Sequence, residues 1–83
     1  MNSTQTNRYF EIRKSIWLAF FNGREQYDRK IEPGQGLLIF DGCDILWRHE
    51  GTTLISDTVN WALTEWLEDG SIEEVHPAPE PPA

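Results

Sequence analysis

The sequence has a single cysteine, Cys43, so no internal disulfide can form, and a chain so poor in cysteine reads as intracellular. No apolar run approaches the roughly 18 residues of a membrane span. The start, Met1-Asn2-Ser3-Thr4-Gln5-Thr6-Asn7, is too polar for a secretory signal. A cytoplasmic location without a membrane partner is the expectation. Histidine occurs only at His49 and His76. A structural zinc needs about four Cys or His ligands at paired spacing, and Cys43 with His49 is one unmatched pair. Neither a metal nor a cofactor is expected.

Basic charge is also scarce, and it is unevenly placed. Residues 1–40 carry six basic side chains and four acidic ones, a net of +2. Residues 41–83 carry Arg48 against ten acids, a net of −9, and together the halves give −7. No Lys or Arg follows Arg48. An acidic half of this kind repels nucleic acid and anionic membrane and favours basic partners. The plainer reading is a solvated acidic face.

Apolar residues make up 39% of the chain, with four Trp and four Phe, enough for one dense core in 83 residues. A domain this small buries only about 60–65% of its unfolded surface. From Tyr9 to Phe21 the pattern alternates, with Phe10, Ile12, Ile16, Leu18 and Phe20 on one face, which predicts a single long strand. Asn22-Gly23 then reads as a two-residue type I′ turn. Centred there, the hairpin sets Phe20 opposite Glu25, Leu18 opposite Tyr27 and Ile16 opposite Arg29, and puts Tyr27 and Ile31 on the core side. Trp17 falls on the solvent side, opposite Asp28.

Glu32-Pro33-Gly34-Gln35-Gly36 is a turn, and Leu37 to Phe40, Cys43 to His49 and Thr52 to Ile55 are further strands. Their two faces are both apolar, so a second layer must cover them. The expected cover is a helix over residues 57–69. Val59, Ala62, Leu63, Trp66 and Leu67 form its stripe, Ser56, Asp57 and Thr58 offer N-cap oxygens, and Gly70 is the C-terminal stop. Ser71 to Val75 returns as an edge strand. Residues 1–7 read as a polar arm, 8–75 as the one globular domain, and 76–83 as a proline-rich tail.

The predicted fold is therefore α+β and mostly β. It is a five- to six-strand antiparallel meander, as an SH3-like or OB-like small barrel or as an open sheet, with one amphipathic C-terminal helix.

No enzyme is expected. Cys43, His49 and Asp44 offer the residue types of a nucleophile, base and orienting acid, but nothing in the sequence builds an oxyanion hole around them. Carboxylates adjacent in sequence, such as Glu68-Asp69 and Glu73-Glu74, do not converge on one substrate. Two binding surfaces remain. One is the outward side of the helix, where Trp61 stands among Asp57, Glu65, Glu68 and Asp69 as an aromatic anchor with an acidic rim, suited to a basic protein partner. The other is the solvent face of the first hairpin, where Trp17 lies among Arg13, Arg24 and Lys30, a possible stacking platform for single-stranded nucleic acid. The low isoelectric point argues against the second. A homo-oligomeric structural module, such as a homodimer, is the third reading.

Two stretches, Ile31-Glu32-Pro33-Gly34-Gln35-Gly36 and Ala62 to Val75, resemble short β-rich modules found in phage and prophage genomes. In those, a strand, an E-P-G turn, a hairpin and a helix ending at glycine lead to a strand of the I-E-E-V kind and an acidic or proline-rich end. The resemblance implies a bacteriophage or mobile-element setting, and so a bacterial host cytoplasm. Small acidic proteins of that setting often act as inhibitors by occupying a host protein, sometimes by imitating the charge of DNA.

Overall fold

The apolar alternation that begins at Tyr9 breaks at Lys14, and the chain breaks there too. A computed structural model describes residues 7–76. In it β1 (Arg8–Ile12) and β2 (Ile16–Phe21) are separate strands, not the single one predicted. Between them the Arg13 and Lys14 N–H groups both donate to the Ser71 carbonyl, at 2.7 and 3.0 Å. The Lys14 ammonium reaches the Asp69 carbonyl at 3.0 Å. A charged residue where the alternation needs an apolar one has thus become a corner, and it sends the two strands into different sheets.

β2 pairs with β3 (Gln26–Ile31) as a two-stranded ribbon. The remaining strands are β4 (Leu37–Phe40), β5 (Ile45–His49), β6 (Thr52–Ser56) and β7 (Ile72–Glu74). With β1 they form a five-stranded antiparallel sheet in the order β6-β5-β4-β1-β7. The α+β, mostly β class is the expected one, and neither sheet closes on itself. Strand order departs from a plain meander: β4, β5 and β6 follow one another, but β1 pairs with β4 rather than β2. β7 lies at the edge as predicted, carrying Glu73 and Glu74.

The first hairpin is two residues out of the predicted register: Phe20 faces Tyr27, Leu18 faces Arg29 and Ile16 faces Ile31. Asn22-Gly23 does not form a two-residue turn. The connection is four residues long, with Asn22 Oδ1 accepting from the N–H groups of Arg24 and Glu25 at 2.9 and 3.0 Å. A shift of two preserves the side-chain parity, so the predicted faces survive, but Tyr27, expected on the core side, is 40% exposed and only Ile31 of β3 is buried. The β4–β5 connection repeats the design, with Asp41 Oδ1 accepting from Cys43 and Asp44. The two-residue turn with positive φ at both positions is at Glu50-Gly51, where φ is 53° and 82°.

The core lies between the sheets. Phe10, Ile12, Leu38, Ile45, Trp47 and Ile72 line the inner face of the five-stranded sheet, and Ile16, Leu18, Phe20 and Ile31 of the ribbon pack onto them. The helix closes this core through Leu63, with Trp66 half-buried beside it. On the other face of the large sheet Tyr9 and Ile39 pair across β1 and β4 and are buried as well.

α1 (Ala62–Glu68) is seven residues long, half of what the stripe predicts. The predicted cap residues are engaged elsewhere. Asp57 N–H and the Ser56 hydroxyl both donate to the Ala19 carbonyl, at 2.7 and 2.8 Å, and Ala19 N–H donates to Thr58 Oγ1 at 2.9 Å. These bonds strap β6 to the middle of β2 and postpone the helix, which starts at Trp61 without a side-chain cap. Val59 is consequently 51% exposed and Leu67 37% exposed, so neither belongs to the core stripe. The C-terminus follows the prediction. Gly70 takes φ 80°, with Gly70 N–H on the Leu67 carbonyl and Ser71 N–H on that of Trp66, a Schellman closure. The predicted polar arm and proline-rich tail lie, except for Asn7 and His76, outside the described residues.

Candidate functional site: the outward face of the helix

Trp61, Glu65 and Glu68 stand at i, i+4 and i+7, so a helix started by Trp61 sets all three along one line. The opposite line holds Ala62, Leu63 and Trp66 against the core. Because the buried line fixes the helix's rotation, the other must face solvent. Trp61 is 63% exposed, and Glu65 and Glu68 are exposed with it. Among the described residues neither glutamate forms an ion pair. An uncompensated acidic pair beside a large exposed indole is the strongest such juxtaposition on the helix.

The other two predicted residues are placed differently. Asp57 is exposed but sits before the helix, in the strap against β2. Asp69 is the helix C-cap, and its Oδ1 accepts the Ser71 N–H at 2.8 Å. Ser71, through its hydroxyl first and its backbone N–H second, holds the Asp69 carboxyl below its ordinary range, with the Lys14 charge a smaller contribution. Asp69 is thus a structural acid at the rim.

The hairpin face is only partly assembled. Trp17 and Phe21 are 59% and 58% exposed on the outer side of β2, and Lys30 faces Trp17 across the ladder. Phe21 shares Trp17's parity and stands on the same outer face, though it is not among the residues the sequence assigns to the platform. Arg13 does not join them: its guanidinium lies 3.0 Å from Glu11 and 2.6 Å from Glu73. Arg24 sits in the hairpin loop, and Lys30 has Glu32 at 3.6 Å. The predicted basic cluster is therefore dispersed, and each local pair weakens its attraction for phosphate.

Cys43, Asp44 and His49 are not brought together. Cys43 lies exposed in the loop before β5 and His49 at the far end of that strand, whose four steps from Ile45 span roughly 13 Å. Among the described residues no group of three or more His, Cys, Asp or Glu side chains is placed to hold a metal ion. No helix among them is long and apolar enough to cross a membrane. Comparison with protein-family models, curated proteins and solved structures gives no significant match.

Proposed function

We propose that this protein is a non-enzymatic interaction module that binds a basic protein surface through the outward face of α1, as an inhibitor or a nucleic-acid mimic. The observation that carries the reading is the line Trp61, Glu65, Glu68, exposed and without cationic partners among the described residues. An exposed indole supplies contact area at low entropic cost, and unpaired carboxylates supply steering toward a basic patch. The −9 half of the chain extends the same field. A phage or mobile-element origin fits a small acidic protein that occupies a host protein, and the host cytoplasm is then where it acts.

The test is affinity capture from the source cell followed by titration of the purified captured protein. Trp61→Ala and the Glu65→Lys/Glu68→Lys pair should each weaken binding at least tenfold, and rising salt should weaken it further. Unchanged affinity in both variants would refute the reading.

The exposed pair Trp17 and Phe21 favours one second reading, a single-stranded nucleic-acid platform on the hairpin. Titration of labelled single-stranded DNA and RNA at low salt decides it, since the absence of a saturable shift removes it.

A further inference from the structure

Where β3 passes over the end of the β5–β6 hairpin, the two sheets part and leave a cleft of about 220 Å³. Arg29, Trp47, His49, Glu50, Thr52 and Leu54 line it. The arrangement follows from register. His49 faces Thr52 and Trp47 faces Leu54 across the hairpin, and Arg29 comes from the core side of β3, opposite Leu18. One buried indole organises the polar groups: the Arg29 guanidinium lies 4.8 Å from the Trp47 ring centroid, and the His49 ring stacks at 5.5 Å with an 18° tilt. The indole is itself fixed, since Trp47 Nε1–H donates to the Gln35 carbonyl at 2.6 Å.

We propose that this cleft is a binding site for an oxyanion carried on a small apolar body, a carboxylate or a phosphate monoester attached to a ring or short chain. Two observations support it, the unpaired Arg29 beside the indole and the polar and apolar lining from Thr52 and Leu54. Arg29 is an exposed cation on β3 beside the buried Trp47 ring, and among the described residues it forms no ion pair, so its donor fork is free. Its contact with the indole restrains the side chain and so lowers the entropy it loses on binding. The Thr52 hydroxyl adds a donor, while Leu54 supplies apolar wall for the ligand body.

At the rim, Glu50 takes positive φ as the first residue of the two-residue β5–β6 turn. Its carboxylate lies 3.8 Å from His49 Nε2 with a side chain 84% exposed, so it can rotate away when another anion arrives. The volume exceeds what a bare inorganic anion fills and is too small for a large ligand. That is why the proposal includes a compact apolar body.

The experiment is an NMR titration of the intact chain at low salt, following the Trp47 indole N–H. The probes are benzoate, phenyl phosphate and the uncharged benzyl alcohol. A saturable shift with benzoate, with phenyl phosphate or with both supports the site, and the pattern tells a carboxylate ligand from a phosphate one. Arg29→Gln should weaken that binding roughly tenfold or more, and Thr52→Val roughly threefold. Lys30→Gln, on the opposite face of the same strand, should change it less than about twofold. Unchanged amide signals outside the cleft show that the fold is intact in each variant; Thr52→Val decides if Arg29→Gln disturbs them. No saturable shift at millimolar probe, an equal response to benzyl alcohol, or an equal loss in Lys30→Gln would overturn the proposal.

Discussion

Gly36 sits at φ 91° under the end of β5, and a Cβ there would lie 2.1 Å from the Arg48 carbonyl oxygen and 3.0 Å from the Trp47 indole nitrogen. Backbone cannot yield as a side-chain tip can. Gly36→Ala is therefore expected to lower stability by about 2–4 kcal/mol, measured by urea unfolding, and to displace the Trp47 indole signal. Glu50 is the opposite case. Its positive φ suits asparagine or glycine better, so Glu50→Asn should raise stability by roughly 0.5–1 kcal/mol in the same experiment. A loss on that substitution would show that the Glu50 side chain supports the turn by contacts its exposure does not suggest. At this scale the sequence was legible in part. Gly70 could be assigned its left-handed role because a helical stripe stops before it. Gly36 could not, because what excludes a side chain there is the carbonyl of Arg48, twelve residues away.

Among the elements, α1 separates stability from recognition. Leu63 is in the core, so Leu63→Ala should cost about 2–4 kcal/mol. Trp61→Ala, on the opposite line, should change stability by no more than about 0.5 kcal/mol while weakening partner binding. Thermal unfolding of the two variants separates these effects. The helix's existence and its C-terminus were readable from periodicity, whereas periodicity left Trp61 between an outward position and the edge of the stripe. Its late start was not, because Ser56, Asp57 and Thr58 are as good at strapping a strand as at capping a helix. Which of these they do depends on the Ala19 backbone, nearly forty residues earlier. The first hairpin teaches a related lesson. Asn22 offers a side-chain oxygen to the next two N–H groups, and that Asx-type loop displaces the expected tight turn. Asn22→Ala should cost about 1 kcal/mol through loss of those bonds. Lys14 alone marked the break between β1 and β2, and one charged residue inside a regular alternation is easily taken for a solvent-facing exception.

For the whole molecule, charge decides more than shape. Several carboxyls are held below their ordinary range: Glu74 by its hydrogen bond to Arg8, Asp41 by the Asp44 and Cys43 N–H groups, Asp69 by Ser71, and Glu32 by Ser15. A depressed folded value means that the unfolded chain takes up protons first as pH falls. The stability these contacts give is therefore complete above the ordinary carboxylate range and is lost on acidification, between about pH 5 and pH 3. Acidification also relieves repulsion within the acidic half, but at about 0.15 M salt that long-range effect is largely screened. The thermal midpoint should thus fall across that window, and Glu74→Gln should make the fall shallower. The +2 and −9 halves were plain in the sequence. Where the positive half directs its charge was not: Arg8 and Arg13 turn to Glu74, Glu11 and Glu73 at the β1–β7 edge, and the exposed Arg29 lies over the Trp47 ring. The helix face gains by this, because its glutamates keep their charge free of ion pairs among the described residues.

That face is tested most directly by titrating the purified partner, identified by capture, with wild type, Trp61→Ala and Glu65→Lys/Glu68→Lys at two salt concentrations. The account predicts that both variants bind at least tenfold more weakly, and that the charge-reversed pair also loses most of the salt dependence shown by wild type. Binding that keeps its affinity and its salt dependence in both variants would contradict it.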